Sequence, residues 1–117
     1  MAAKDRLGIQ GERIAERHLV ALGMAVIDRN WRCPQGEIDL VLSDREETVF
    51  VEVKTRSSVD YGHPLEAITV AKLARLRRLA AAWCADHPGA GPIRIDAVAV
   101  VAPRHAPATV EHLERVF

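Results

Sequence analysis

An aspartate, Asp39, and a glutamate, Glu52, stand with twelve residues between them, and Lys54 follows Glu52 at the next-but-one position. All three sit in segments otherwise built for burial: Glu37-Ile38-Asp39-Leu40-Val41-Leu42 and Val49-Phe50-Val51-Glu52-Val53-Lys54-Thr55. The second segment is apolar or β-branched on both faces, the pattern of a central strand covered from two sides. Side chains alternate along a strand, so Glu52 and Lys54 are expected on the face of Phe50. In the first segment Glu37, Asp39 and Val41 are expected on one face, with Ile38, Leu40 and Leu42 on the other. Paired as a hairpin, the two strands bring Asp39, Glu52 and Lys54 to one small patch. Charges in a sheet centre are costly unless they are paired or bind a metal. One reading is an internal salt bridge between Lys54 and either carboxylate. The other starts from the repulsion of two close carboxylates, which a cation between them relieves. Oxygen donors with retained waters select Mg²⁺, with Mn²⁺ as a substitute, over Zn²⁺, and the Val53 carbonyl is a further oxygen. Such an ion polarises a phosphoryl oxygen and lowers the pKa of a bound water. Lys54 would then orient that water or stabilise charge on phosphorus. Both readings stand at this level.

The stretch Gly36-Glu37-Ile38-Asp39-Leu40-Val41, followed by Phe50-Val51-Glu52-Val53-Lys54-Thr55-Arg56, resembles the PD-(D/E)XK nuclease site. More specifically, the chain resembles the YraN family, small bacterial proteins similar to Holliday-junction resolvases. Leu7-Gly8, Gly11-Glu12, Arg29-Asn30, Tyr61-Gly62 and Lys72 also come in that family's order. The resemblance covers roughly residues 7 to 83 and a later strand, Ile93 to Val101. It implies an α/β fold with a restriction-endonuclease-like αβββαβ core and a Mg²⁺-dependent DNA endonuclease, with branched DNA a candidate substrate. By position it makes Asp39 and Glu52 metal ligands, Lys54 the catalytic lysine and Glu12 the helix-borne acid that completes the site. Ile38 stands where the superfold's name has proline. A different class, a non-catalytic or partner-dependent nucleic-acid-binding module on the same fold, is the alternative.

Glu12 has support from its own helix. It shares a stripe with Ala15, Leu19 and Leu22, the face expected to meet the sheet. Its competing role is a pair with Arg29, for which Glu16 is also within reach. On a later helix, Lys72, Arg75 and Arg78 step from core side to open face. Lys72 and Arg75 are candidates for phosphate contact, as is Arg56 on the strand face of Lys54, whereas Arg77 and Arg78 read as solvated. Contacts of this kind fix position and carry no base readout.

The elements that must position these groups follow an α-β-β-β-α-β-β order, which suggests a mixed sheet flanked by helices. A helix is expected from Lys4 to Leu22, with Gly23 as its left-handed stop. Strands are expected over Met24–Asn30, Gly36–Ser43 and Thr48–Thr55, with turns at Cys33–Gly36 and Asp44–Glu47. After a loop containing Tyr61-Gly62-His63-Pro64, a helix capped by Thr69 runs to Asp86. Strands over Ile93–Val101 and, edge-like, Ala108–Phe117 complete the chain. Asp96 is expected in a structural ion pair with an arginine, and the five histidines lack zinc spacing and are expected at the surface. Two-fold symmetric substrates suggest a homodimer, for which Val116-Phe117 offers an apolar edge.

Composition narrows the classes. At 117 residues the chain is one domain, and its 49% apolar and 27% charged fractions are globular values. No run is long and apolar enough to span a membrane, and the first six residues lack the apolar segment of a secretion signal, so the cytoplasm is expected. Cys33 and Cys84 form no CxxC pair, in keeping with a reducing compartment. There is no glycine-rich phosphate loop, and with aromatics at 4% stacking on single strands is disfavoured. Sixteen basic residues balance sixteen acidic ones. The balance is uneven along the chain: residues 33–53 hold one basic against six acidic side chains, and residues 54–78 six against two. Neutrality overall therefore leaves room for locally focused nucleic-acid binding.

Overall fold

A computed structural model describes residues 5–60 and 62–117. Lys4, the expected helix start, and Tyr61 lie outside them. The order is α1 (Arg6–Ala21), β1 (Ala25–Cys33), β2 (Gly36–Asp44), β3 (Glu47–Arg56), a 3₁₀ turn (Pro64–Ala67), α2 (Val70–Asp86), β4 (Ile93–Val101) and β5 (Thr109–Leu113). The five strands form one mixed sheet in the order β1-β2-β3-β4-β5. Only the β3–β4 pair is parallel, joined through α2 as parallel neighbours require. This is the α/β, αβββαβ arrangement expected, a restriction-endonuclease-like core.

Two helices cover the two faces. Ala15 and Leu19 of α1 pack on Leu40, Leu42, Val49, Val51, Val98 and Val100. Leu73, Leu76, Leu79, Ala80 and Trp83 of α2 pack on Ile38, Val41, Phe50 and Ile95. β3 is central and fully buried from Val49 to Val51, which is why both its faces are apolar. α1 approaches β3 so closely that a Cβ at Gly11 would collide with the Thr55 side chain. Thr69 caps α2 as expected, its Oγ1 accepting the Lys72 N–H at 3.2 Å.

Several boundaries and faces differ from expectation. β1 continues through Trp31, Arg32 and Cys33, because the hairpin closes tightly on Pro34-Gln35 with Cys33 opposite Gly36. β5 stops at Leu113, since Arg115 turns left-handed (φ 54°) and folds the chain back. Val116 then donates its N–H to the Ile95 carbonyl at 2.9 Å and packs on the α2-side core, so it is spent within its own chain and is not an open edge. Leu22, expected on the buried stripe of α1, is 58% exposed, because the helix ends one residue before it.

The alternation expected in β2 also breaks. Leu40 and Leu42 face α1, whereas Ile38 joins Val41 under α2. The break falls at Asp39. The β1–β2 ladder pairs Arg29 with Leu40 and Trp31 with Ile38, and the Asn30–Asp39 pair between them is missing; Asn30 is left-handed (φ 49°). The β2–β3 ladder runs from Asp44–Glu47 only as far as Leu40–Val51. Asp39 therefore stands where β2 parts from β3.

Candidate active site

The parting of the strands creates the site. With the backbone ladder ended, the Asp39 carboxylate takes over as acceptor, its Oδ2 receiving the Val53 N–H at 3.1 Å. The buried half of β3 gives way to a half-buried run from Glu52 to Arg56. A cavity of about 470 Å³ opens over that run, lined by Asp39, Glu52, Val53, Lys54, Thr55 and Arg56. α1 and its cap close one side with Asp5, Leu7, Gly8 and Glu12, and α2 with the segment entering it closes another with Ala67, Ile68 and Lys72. Seven of the eight residues singled out from sequence share this one space. The eighth, Arg75, lines an adjoining recess of about 310 Å³ together with Glu37, Asp39, Glu52 and Lys72. Its Nη2 donates to the Gln35 carbonyl at 3.0 Å, which ties α2 to the β1–β2 turn. Lys72 is exposed in the first turn of α2, not core-side, and reaches both spaces from their mouths.

Glu12 is held by the residue at the break in the ladder: Asn30 Nδ2 donates to its Oε1 at 2.9 Å. The competing partner, Arg29, goes instead to Glu16, donating through Nε at 2.6 Å and Nη2 at 2.9 Å. Those bonds hold the Glu16 carboxyl below the usual carboxylate range. Asn30 belongs to the resembling motif but had no assigned role in the sequence. Asp5 escaped notice altogether, although an aspartate before a helix is a cap signal; its Oδ1 accepts the Gly8 N–H at 2.7 Å on the cavity wall.

The oxygens of Asp39, Glu52 and Glu12 and the Val53 carbonyl are donors for a hard cation, not for zinc. Among the described residues no three His, Cys, Asp or Glu side chains gather closely enough to hold an ion by themselves. A Mg²⁺ ion, which keeps several waters and takes one or two carboxylates, is compatible with that spacing.

Elsewhere two histidines, His112 and His87, depart from the surface expectation, while His105 is exposed as expected. His112 is almost buried and its Nε2 lies 2.7 Å from Asp96 Oδ2. His87 stacks on Trp83 with ring centroids 3.7 Å apart. His63 caps the 3₁₀ turn, its Nδ1 accepting the Leu65 N–H, and meets Glu111 through Nε2, so it does not border the cavity. Asp96 is in the expected ion pair, with Arg94 donating to both its oxygens at 2.9 and 3.0 Å.

A mixed sheet with a helix on each face, and an acidic pair and lysine where its central strand emerges, defines an α/β protein of the restriction-endonuclease-like class. Comparison with known proteins agrees with the sequence resemblance. The model of "Uncharacterised protein family UPF0102" matches residues 11–100. A UPF0102 protein of Beutenbergia cavernae is 60% identical over 117 residues, covering 99% of both chains. One of Kineococcus radiotolerans is 55% identical, covering 97% of this chain and 95% of its own, and one of Frankia casuarinae is 52% identical over the whole of both. The chain belongs to the UPF0102 family. No helix of the described residues is long and apolar enough to cross a membrane.

Proposed function

We propose that this chain is a Mg²⁺-dependent DNA endonuclease that hydrolyses phosphodiester bonds, with branched DNA as its substrate. The observation that carries the reading is the single cavity joining Asp39, Glu52, Lys54 and Glu12 to Arg56 and Lys72. Asp39, Glu52 and the Val53 carbonyl would hold the ion, with Glu12 completing its surroundings from α1. When bound, the ion supplies Lewis acidity and a water of lowered pKa. The chain's own groups do the rest. The Val53 N–H fixes the Asp39 carboxylate against β3, and Asn30 fixes Glu12. The Lys54 ammonium donates to the attacking water or to the phosphoryl oxygen as charge builds there. Arg56 and Lys72 hold flanking phosphates. Water adds at phosphorus and one P–O ester bond breaks, leaving a phosphate monoester and a hydroxyl.

The test is a cleavage panel of linear, nicked, flapped and four-way DNA with Mg²⁺ and with Mn²⁺, run beside Asp39→Ala and Glu52→Ala. Cleavage by the wild type, strongest on four-way DNA and lost in both variants, is expected. Equal activity in wild type and Asp39→Ala would remove the catalytic assignment. The spacing of the acidic groups favours one second reading, a module that binds DNA without cutting, or cuts only with a partner. It predicts salt-dependent affinity and no product with either metal.

A further inference from the structure

The outer face of α1 carries a charge pattern that the site does not use. Arg6, Gln10, Arg13 and Arg17 recur at intervals of four, three and four, so they form one stripe along the helix, all four exposed. Eleven residues at 1.5 Å rise give the stripe a length of about 16 Å, which matches roughly five nucleotide steps at 3.4 Å. The helix's two acids fall outside this stripe, although Glu16 lies beside Arg13 and Arg17. Glu12 faces the cavity, and Glu16 is bound by Arg29 of β1.

The stripe is continuous with the candidate active site. A groove of about 460 Å³ between α1 and β1 is lined by Arg13, Arg17 and Arg29, with Glu16 among them, and by Glu12 and Asp39. A shallower hollow of about 380 Å³ then carries Arg6, Gln10, Arg13 and Arg17 further along the helix. Glu12 and Asp39 belong to both the groove and the central cavity. The walls thus pass from mixed charge at the cavity to mostly basic outside it, where the one acid among the arginines, Glu16, is engaged by Arg29. A solvated helix face normally interleaves both signs, and this one holds arginines and a glutamine.

We propose that the α1–β1 groove and the arginine stripe beyond it form the second arm of a nucleic-acid track, gripping the phosphates of the strand that leaves the cavity on the side opposite Lys72 and Arg75. This rests on the nuclease reading and extends it: the chain holds DNA on both sides of the cavity, and α1 supplies half of the grip. Glu16 restrains the grip by engaging Arg29.

Fluorescence anisotropy of labelled four-way and linear DNA, in EDTA so that no cleavage intervenes, tests this directly. Arg13→Gln/Arg17→Gln is expected to weaken binding roughly tenfold near 100 mM salt. It should also flatten the slope of log affinity against log salt by about 1.8, for two lost phosphate contacts. Arg77→Gln/Arg78→Gln removes the same charge from the exposed face of α2, outside these cavities, and is expected to change binding by less than about twofold. Glu16→Gln should tighten binding and steepen the slope. Equal losses in both arginine pairs, or wild-type affinity in the α1 pair, would overturn the track. So would loss of binding to phosphatidylserine vesicles with DNA binding intact. The outcomes separate the two readings. DNA binding that needs Arg13 and Arg17, without cleavage under Mg²⁺ or Mn²⁺, keeps the track and removes the nuclease; unaltered binding with cleavage intact does the reverse.

Discussion

Two clusters of charge interrupt the valine-rich centre of the sheet, and they are finished in opposite ways. On β4, Asp96 is wholly buried, with Arg94 on both of its oxygens, His112 on Oδ2 and the Arg115 N–H on Oδ1 at 3.1 Å. Arg94 reaches on to Asp44 at 2.9 Å, and Arg115 to Glu47 at 2.6 and 2.8 Å, so the network stitches β5 and the chain end to the β2–β3 hairpin. Burial alone would lower the Arg94 pKa; its bonds to Asp96 and Asp44 outweigh that and raise it. On β3, Glu52, Lys54 and Arg56 are only half-buried and face the open cavity shared with Asp39 and Glu12. The first cluster satisfies itself within the protein. The second leaves room for a ligand, and that difference separates a structural ion pair from a site for chemistry.

Mutations should therefore split along this line. The largest effect on folding is expected from Asp96→Ala, which takes the acceptors from Nε and Nη2 of the buried Arg94 and deprives His112 and the Arg115 amide of their partner. A loss of about 3–5 kcal/mol in urea unfolding is expected, the usual range for breaking one side of a buried pair. Asp39→Asn keeps the side-chain shape and an acceptor for Val53; it should cost under about 1.5 kcal/mol while abolishing cleavage. If the two swapped behaviours, with Asp96→Ala stable and Asp39→Asn unfolded, the contrast would be wrong.

A smaller effect bridges the regions. Gly11→Ala drives a Cβ into Thr55 and must lift α1 from β3. A cost of about 1–3 kcal/mol is expected, together with reduced cleavage, because Glu12 is the next residue on the displaced helix. Stability lowered without any change in cleavage would show that the position of α1 does not matter to the site.

The smallest effect is in acid. Arg115 holds the half-buried Glu47 carboxyl, and Arg29 holds Glu16, below the ordinary range. Groups depressed on folding stabilise the protein above their unfolded pKa of about 4.3 and lose that contribution as pH falls through the folded value. Stability owed to these two should be constant from neutrality to about pH 5 and decline below it. Glu47→Gln should make that decline shallower, and an unchanged acid limb would deny its pairing a role.

The comparison also explains what could be read from the chain and what could not. β4 was legible to the residue, and Glu52 with Lys54 stood out, because local alternation and burial pattern are written in neighbouring positions. The Thr69 cap was legible for the same reason. Asp39's type and spacing were legible, but its geometry was not: the change of face depends on the left-handed Asn30 on another strand. The closed network was half-visible. Asp96 reads as an ion pair, yet His112 and Arg115 reach it only through a turn sixteen and more residues away, which no local pattern encodes. The arginine stripe on α1 was not singled out from the sequence, and its connection to the cavity exists only once α1 lies beside β1.

The most direct test of the account is Mn²⁺ binding followed by electron paramagnetic resonance, with four-way DNA present, in the wild type and in Asp39→Asn. The account predicts a saturable Mn²⁺ site in the folded wild type that is lost in the folded variant, with loss of cleavage alongside. A wild type that binds the DNA but takes up no Mn²⁺, or a variant that binds it as tightly, would contradict it.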